Sequence, residues 1–239
     1  MFKRVIALCL VSSLFWLSPA FAKNPVLIVH GLNGDSQSFK DGCMVKTLQN
    51  AGLQVFTLAD VGGDFPNRGQ GLIQEDVKLL KQAIDEVKRR TGATKVDIVA
   101  HSRGGIVAEL YTMMYGNQYQ PTMEYTYHPP EDPRLLKKKT ITNIPRYGND
   151  VNQIIMMGTP QMGSFWSDFG HDNPVLSDQL RKLGIAKDAP DQYTVGVEQL
   201  QEEGSAFMEY FWKNKLNSDL PTITYINLAE DRICPPLFK

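Results

Sequence analysis

Val96-Asp97-Ile98-Val99-Ala100-His101-Ser102-Arg103-Gly104-Gly105 reads as a buried strand that runs straight into a tight turn and then a helix. Val96 to Ala100 is a short apolar run of the kind that forms a strand covered on both faces. From Gly104 to Tyr115, residues Val107, Leu110, Tyr111 and Met114 recur at helical spacing. In a turn this sharp the residues two before and two after the serine must be small, or their side chains collide. Ala100 and Gly104 meet that demand. The strain of such a turn pushes the Ser102 hydroxyl out above the sheet. The helix start behind it offers backbone N–H groups and the positive end of a peptide dipole. A small-x-Ser-x-Gly match alone is weak; strand, elbow and helix together are specific.

Outward from this unit, strands and helices alternate. Pro25 to Val29 is a second apolar run, ending at His30-Gly31, and Gln54 to Ala59 is a further candidate strand. Gln70 to Arg90 is an amphipathic helix: Ile73, Val77, Leu80, Ile84 and Val87 form one stripe, charged residues fill the other face, and Thr91-Gly92 stops it. Ile154 to Met157 and Thr222 to Leu228 complete the strands. The pattern predicts an α/β fold with a mostly parallel sheet flanked by helices, and functional loops at the carboxyl ends of the strands. Two long stretches interrupt it. Residues 117–152 contain His128-Pro129-Pro130 and Asp132-Pro133, which break regular structure. Residues 161–221 carry expected helices at Ser177–Leu183 and Val197–Trp212, the second with Val197, Leu200, Phe207 and Phe211 as an apolar stripe. Both stretches are expected to act as a helical cap over the site; the plainer alternative is helices packed on the sheet.

The whole chain has 239 residues, a formal net charge of −1 and 42% hydrophobic residues, which suits one domain with a full core. That charge gives no reason to invoke nucleic acid or an anionic membrane surface. No dinucleotide-binding fingerprint or phosphate loop is present. Residues 1–22 are expected to be a signal peptide: Lys3 and Arg4, the apolar run Val5 to Leu17, and the Ala20-Phe21-Ala22 cleavage site. The mature domain then covers residues 23–239, exported to the periplasm or the medium and without stable membrane insertion. Cys9 leaves with the leader, so Cys43 and Cys234 are left as a candidate disulfide pair in an oxidising compartment, two free thiols being the alternative.

Val26-Leu27-Ile28-Val29-His30-Gly31-Leu32-Asn33-Gly34 supplies the second half of a site. Acyl transfer at a serine needs N–H donors where the tetrahedral oxyanion forms. One is expected from Arg103, directly after the serine, and the other from Leu32. Gly31 and Gly34 let this loop fold close over a substrate. His30 is expected to shape the loop, not to catalyse.

The His30-Gly31 loop, the Ala100–Gly104 elbow and Met157-Gly158-Thr159-Pro160-Gln161-Met162-Gly163-Ser164 together resemble bacterial triacylglycerol lipases. The elbow is most similar to those of the small lipases and the class 2 lipases. The resemblance implies an α/β-hydrolase acting on carboxylic esters of acyl lipids, with a small-molecule ester as its partner; no cofactor is expected, and although some related lipases bind calcium, no matching metal ligands map onto this sequence. It implies Ser102 as nucleophile and Asp231 as the acid that orients a histidine, Glu230 being the weaker candidate. The family places that histidine after the acid, and no histidine follows Asp231. The expectation is therefore a chain truncated at its C-terminus. It would lack the last element of the fold, leave a sheet edge open to self-association, and have attenuated or absent activity. The alternative is a non-catalytic remnant that binds an acyl ligand or a partner. His101, His128 and His171 are poor substitutes: the first aims away, the others sit in the insertions. Lys137-Lys138-Lys139 is expected as a solvated turn, Phe207–Trp212 as core. Asp60 and Asp64, with Gly62 and Gly63, do not make a metal site.

Overall fold

The computed structural model describes residues 23–127, 135–164, 195–201, 205–214 and 221–226, with Ser167, Leu176, Gln179, Lys182 and Leu183 as single positions. In chain order the elements are β1 (Val26–Val29), α1 (Ser36–Asp41), α2 (Met44–Asn50), β2 (Val55–Thr57), α3 (Leu58–Val61), α4 (Ile73–Thr91), β3 (Val96–His101), α5 (Arg103–Met113), β4 (Thr122–Tyr127), β5 (Lys137–Thr142), β6 (Val151–Met157), α6 (Val195–Glu198), α7 (Ala206–Asn214) and β7 (Thr222–Ile226). Five strands form one parallel sheet in the order β2-β1-β3-β6-β7. This is the α/β-hydrolase arrangement expected from the sequence.

Alternation along the strands divides the core. Leu27 and Val29 of β1, with Val96, Ile98 and Ala100 of β3, face the larger cluster, which they share with α4, α5 and β6. Val26, Ile28 and Val99 face the smaller one, closed by Phe39 of α1 and by Met44, Val45 and Leu48 of α2. Helix α4 buries Ile73, Val77, Leu80, Ile84 and Val87, the predicted stripe, and stops at Gly92, whose φ of 72° is left-handed and whose N–H donates to Lys88 at 2.8 Å. Charges do not all lie on its other face, however. Asp76 is buried too, for a reason that belongs to the site.

Part of the first insertion is regular structure that its sequence did not suggest. Within residues 117–152, β4 and β5 form an antiparallel hairpin of their own. One face of it packs Met123, Tyr125 and Ile141 into the larger cluster. Lys137-Lys138-Lys139 is therefore strand, not turn; its side chains are solvent-exposed, and Lys138 pairs with Glu124 across the ladder. Helices α1 and α2, unforeseen in the sequence, begin directly after the glycine-rich loop, the first capped by Asp35, whose side chain accepts from Ser38 N–H at 2.9 Å. The single helix expected over Val197–Trp212 is instead two, α6 and α7. Val197, Leu200, Phe207 and Phe211 are all buried. The expected helix at Ser177–Leu183 lies mostly outside the described residues, as do the leader, Glu230, Asp231 and Cys234. Cys43 is disulfide-bonded.

Gln199, just past α6, reaches back to α4. The residue before α4, Leu72, has no side chain able to cap a helix. Gln199 does so from a distance of 126 positions: its Oε1 accepts from Ile73 N–H at 2.7 Å, and its Nε2 donates to Gln74 Oε1 at 2.8 Å. Gln199 is fully buried, so removing its amide strands a helix N–H. Gln199→Ala should lower stability by about 1–2 kcal/mol, measurable by urea unfolding.

A second tie joins α1 to α3. Burial alone would raise the Asp60 carboxyl, but Lys40 Nζ at 2.6 Å and the N–H and hydroxyl of Thr57 bring it below its ordinary 3.8. A carboxylate lowered by folding contributes stability above its unfolded value and loses it as pH falls through the folded one. Asp60→Asn should be less stable than the parent at about pH 7 and converge with it by about pH 2, checked by denaturant unfolding across that range.

Candidate active site

Ser102 stands between β3 and α5 with φ 52° and ψ −131°. That left-handed backbone is rare for a residue with a side chain and costs about 1–3 kcal/mol, so surrounding contacts must hold it. The contacts are visible. Ser102 N–H donates to Met157 O of the neighbouring strand at 2.9 Å, and Gly105 N–H returns to Ser102 O at 3.0 Å. Ala100 is buried in β3, and Gly104 has no room for a side chain: a methyl there would stand 2.5 Å from His30 O and 2.9 Å from Val29 O. At Gly105 a methyl would run into the Thr159 side chain, which links the Gly158-Thr159-Pro160 stretch to the elbow.

The loop after β1 lies on this turn. A methyl on Gly31 would meet Ser102 Cβ at 2.7 Å, His101 O at 2.8 Å and Arg103 N at 3.1 Å. Leu32 thus belongs to a loop in contact with the elbow, and Arg103 opens α5 beside it. Register explains the meeting. Val29 pairs with Ala100, so both strands end at one level and deliver their loops to one place.

His30 shapes this loop, as expected. It is buried; its Nδ1 lies 2.9 Å from Gly31 O and its Nε2 accepts from Phe65 N–H at 3.2 Å. Only a proton on Nδ1 satisfies both contacts. With both ring nitrogens engaged, His30 has none to offer Ser102. Asp64 lies 3.7 Å from Nε2 and also accepts from the N–H and hydroxyl of Ser36, whose Oγ accepts from Ala59 N–H at 3.0 Å. These Ser, His and Asp side chains tie three loops together and leave no activated nucleophile. His101 points to the opposite sheet face from Ala100, where its ring meets Phe39 edge-on at 6.3 Å. Among the described residues, none hydrogen-bonds the Ser102 hydroxyl, and no group of His, Cys, Asp and Glu could hold a metal ion.

Two features of the site are absent from the sequence-based expectation. The first is the side chain of Arg103, which is completely buried. Its Nη1 donates to Asp76 Oδ2 at 2.6 Å and its Nη2 to Gly71 O at 2.7 Å. Burial raises the Asp76 carboxyl above its ordinary value against the pull of this guanidinium. The signal was an aspartate on the apolar stripe of α4, between Ile73 and Val77. The second is the turn at residues 66–70, where Asn67, Arg68 and Gly69 are all left-handed, with φ of 49°, 55° and 74°. Gln70 Nε2 donates to Asn33 Oδ1 at 2.6 Å, so this turn braces the loop after β1.

Comparison with known proteins agrees with this geometry. The chain is similar in structure to the mature Bacillus licheniformis lipase BlEst2, with a TM-score of 0.59 and 21% identity over 88% of this chain and 67% of that one. Its propeptide form matches at 0.53 and 23% over 88% of this chain and 36% of that one. Phospholipase PlaB from Legionella pneumophila matches at 0.53 and 13%, over 86% and 39%. At these identities the likeness is one of fold, the α/β-hydrolase fold. More narrowly, residues 23–125, under half of the chain, match the model of the class 2 lipase family.

Gly104→Ala tests the packing of the elbow. Its methyl would press on two backbone carbonyls, which cannot swing aside as a side chain can. A loss of about 2–3 kcal/mol is expected from such overpacking, read as a lowered thermal unfolding midpoint.

Proposed function

We propose that this protein is a serine hydrolase of acyl esters in which Ser102 attacks the ester carbonyl and the backbone N–H groups of Leu32 and Arg103 receive the oxyanion. The observation that carries this reading is the left-handed Ser102 backbone, held between Gly31 and Met157 at the mouth of α5. Strain of this sort persists where a side chain must be presented. The oxyanion assignment follows from chemistry: a tetrahedral adduct on Ser102 places its charged oxygen near the first N–H of α5, where the helix dipole is also favourable. Asp231 is the acid of this scheme. Among the described residues none supplies the base, because His30 is engaged and His101 faces away; His128 and His171 lie outside them.

The substrate class is a neutral ester with an acyl chain, as the class 2 lipase resemblance of residues 23–125 supports. Residues 1–22 act as the export leader, and the mature enzyme starts at Lys23. Among the described residues, no helix is long and apolar enough to cross a membrane. A second reading, a non-catalytic protein that binds an acyl ligand, is favoured by one observation: none of the described residues hydrogen-bonds the Ser102 hydroxyl.

The two readings separate on one experiment. A fluorophosphonate probe bonds to a serine only when the hydroxyl is activated. Labelling at Ser102, with weak short-chain ester hydrolysis that Ser102→Ala abolishes, is the expected result. Absence of labelling in the folded chain would support the binding protein instead.

A further inference from the structure

The buried Arg103 side chain ends where the strained turn begins, and that juxtaposition has consequences for the oxyanion site. Three contacts define it. Nη1 is held by Asp76 of α4. Nη2 donates to Gly71 O, the carbonyl just beyond the left-handed run Asn67-Arg68-Gly69. A methyl on Gly69 would lie 3.3 Å from Nη1 and 3.0 Å from Gly31 O, so this turn is sandwiched between the guanidinium and the loop after β1. Gln70 then grips Asn33, itself left-handed with φ 57°. Force applied at the guanidinium is thus relayed through residues 69–71 to Gly31, Leu32 and Asn33.

We infer that the Arg103 side chain and Asp76 are positioning residues for the oxyanion site: they lock the left-handed turn at residues 67–71, and that turn fixes the Leu32 N–H opposite the Arg103 N–H. The inference rests on the oxyanion assignment proposed above. One residue then contributes to both halves of the site, its backbone as donor and its side chain as the brace of the other donor. A lysine could not do the same work, because one ammonium lacks the fork that reaches Asp76 and Gly71 O together.

A buried ion pair is a poor device for stability, since replacing both partners by apolar residues is often neutral or favourable. This separates positioning from mere support. In the full mature chain, Asp76→Leu/Arg103→Met should keep its thermal midpoint near that of the parent. Yet amides of residues 31–34 and 67–71 should exchange with deuterium about 10-fold faster or more, since the turn opens locally. On a short-chain p-nitrophenyl ester, kcat should fall about 10–100-fold with KM changed less than about 3-fold, because a misplaced donor is felt in the transition state. Arg103→Lys should lie between the two and recover part of the loss. Unchanged exchange at residues 31–34 in the folded double variant overturns the inference. If the double variant does not fold, the same exchange comparison in Arg103→Lys decides, unchanged protection again being the adverse result. Should the parent show no Ser102-dependent turnover, the hydrolase reading fails on its own, while the exchange measurement still judges the brace.

Discussion

The site depends on how closely two backbones approach. The chain leaving β1 and the chain turning at the end of β3 touch without intervening side chains, because Gly31 lies on the elbow and Gly104 lies under the His30 carbonyl. Parallel pairing of Val29 with Ala100 brings the two strand ends level. The order β2-β1-β3 places them where the sheet changes the direction in which it grows, which is where open α/β sheets bind ligands. If either approach widened, a hydroxyl and a set of N–H groups would remain, but no longer at acyl-transfer distance from one another.

Around this contact the protein uses buried polar groups as ties. His30, Ser36 and Asp64 join three loops, and Arg103 and Asp76 join the elbow helix to α4. His30, Ser36, Arg103 and Asp76 are all but fully enclosed, so that breaking their ties leaves polar groups with no water to turn to. Such ties restrict motion more than they add net stability. That suits a site whose donors have to be aimed before the substrate arrives.

The sheet was legible in the sequence because its signals are local. A short apolar run and a 3.6-residue stripe need no partner to be recognised, so β1, β3, β6, α4 and α5 were placed to within a few residues. Ser102, Ala100 and Gly104 were readable for the same reason: the steric demand of the elbow falls on adjacent positions. The helices α1 and α2 were missed because, at six and seven residues, they are too short to show a repeating stripe. The hairpin was missed because prolines at 129, 130 and 133 outweighed the weaker alternation of its strands. Asp76 was miscast as a surface charge, since only tertiary contact with Arg103 explains its place on an apolar stripe. Pro66-Asn67-Arg68-Gly69 carries ordinary turn residues, but these do not reveal that Arg68 too is left-handed or that the turn braces the loop after β1.

The stopper that Gln199 places on α4 also links two times in the life of the chain. Ribosomes extend the polypeptide from one end, so α4 emerges long before the amide that seals its first turn, 126 positions later. Until then the first turn of that helix frays against solvent, and with it the aspartate that anchors Arg103. A nascent chain that has emerged as far as β6 can therefore pair four strands of its sheet while its elbow helix is still loosely tethered, and the region around Ser102 gains its full bracing only as the distal segment docks.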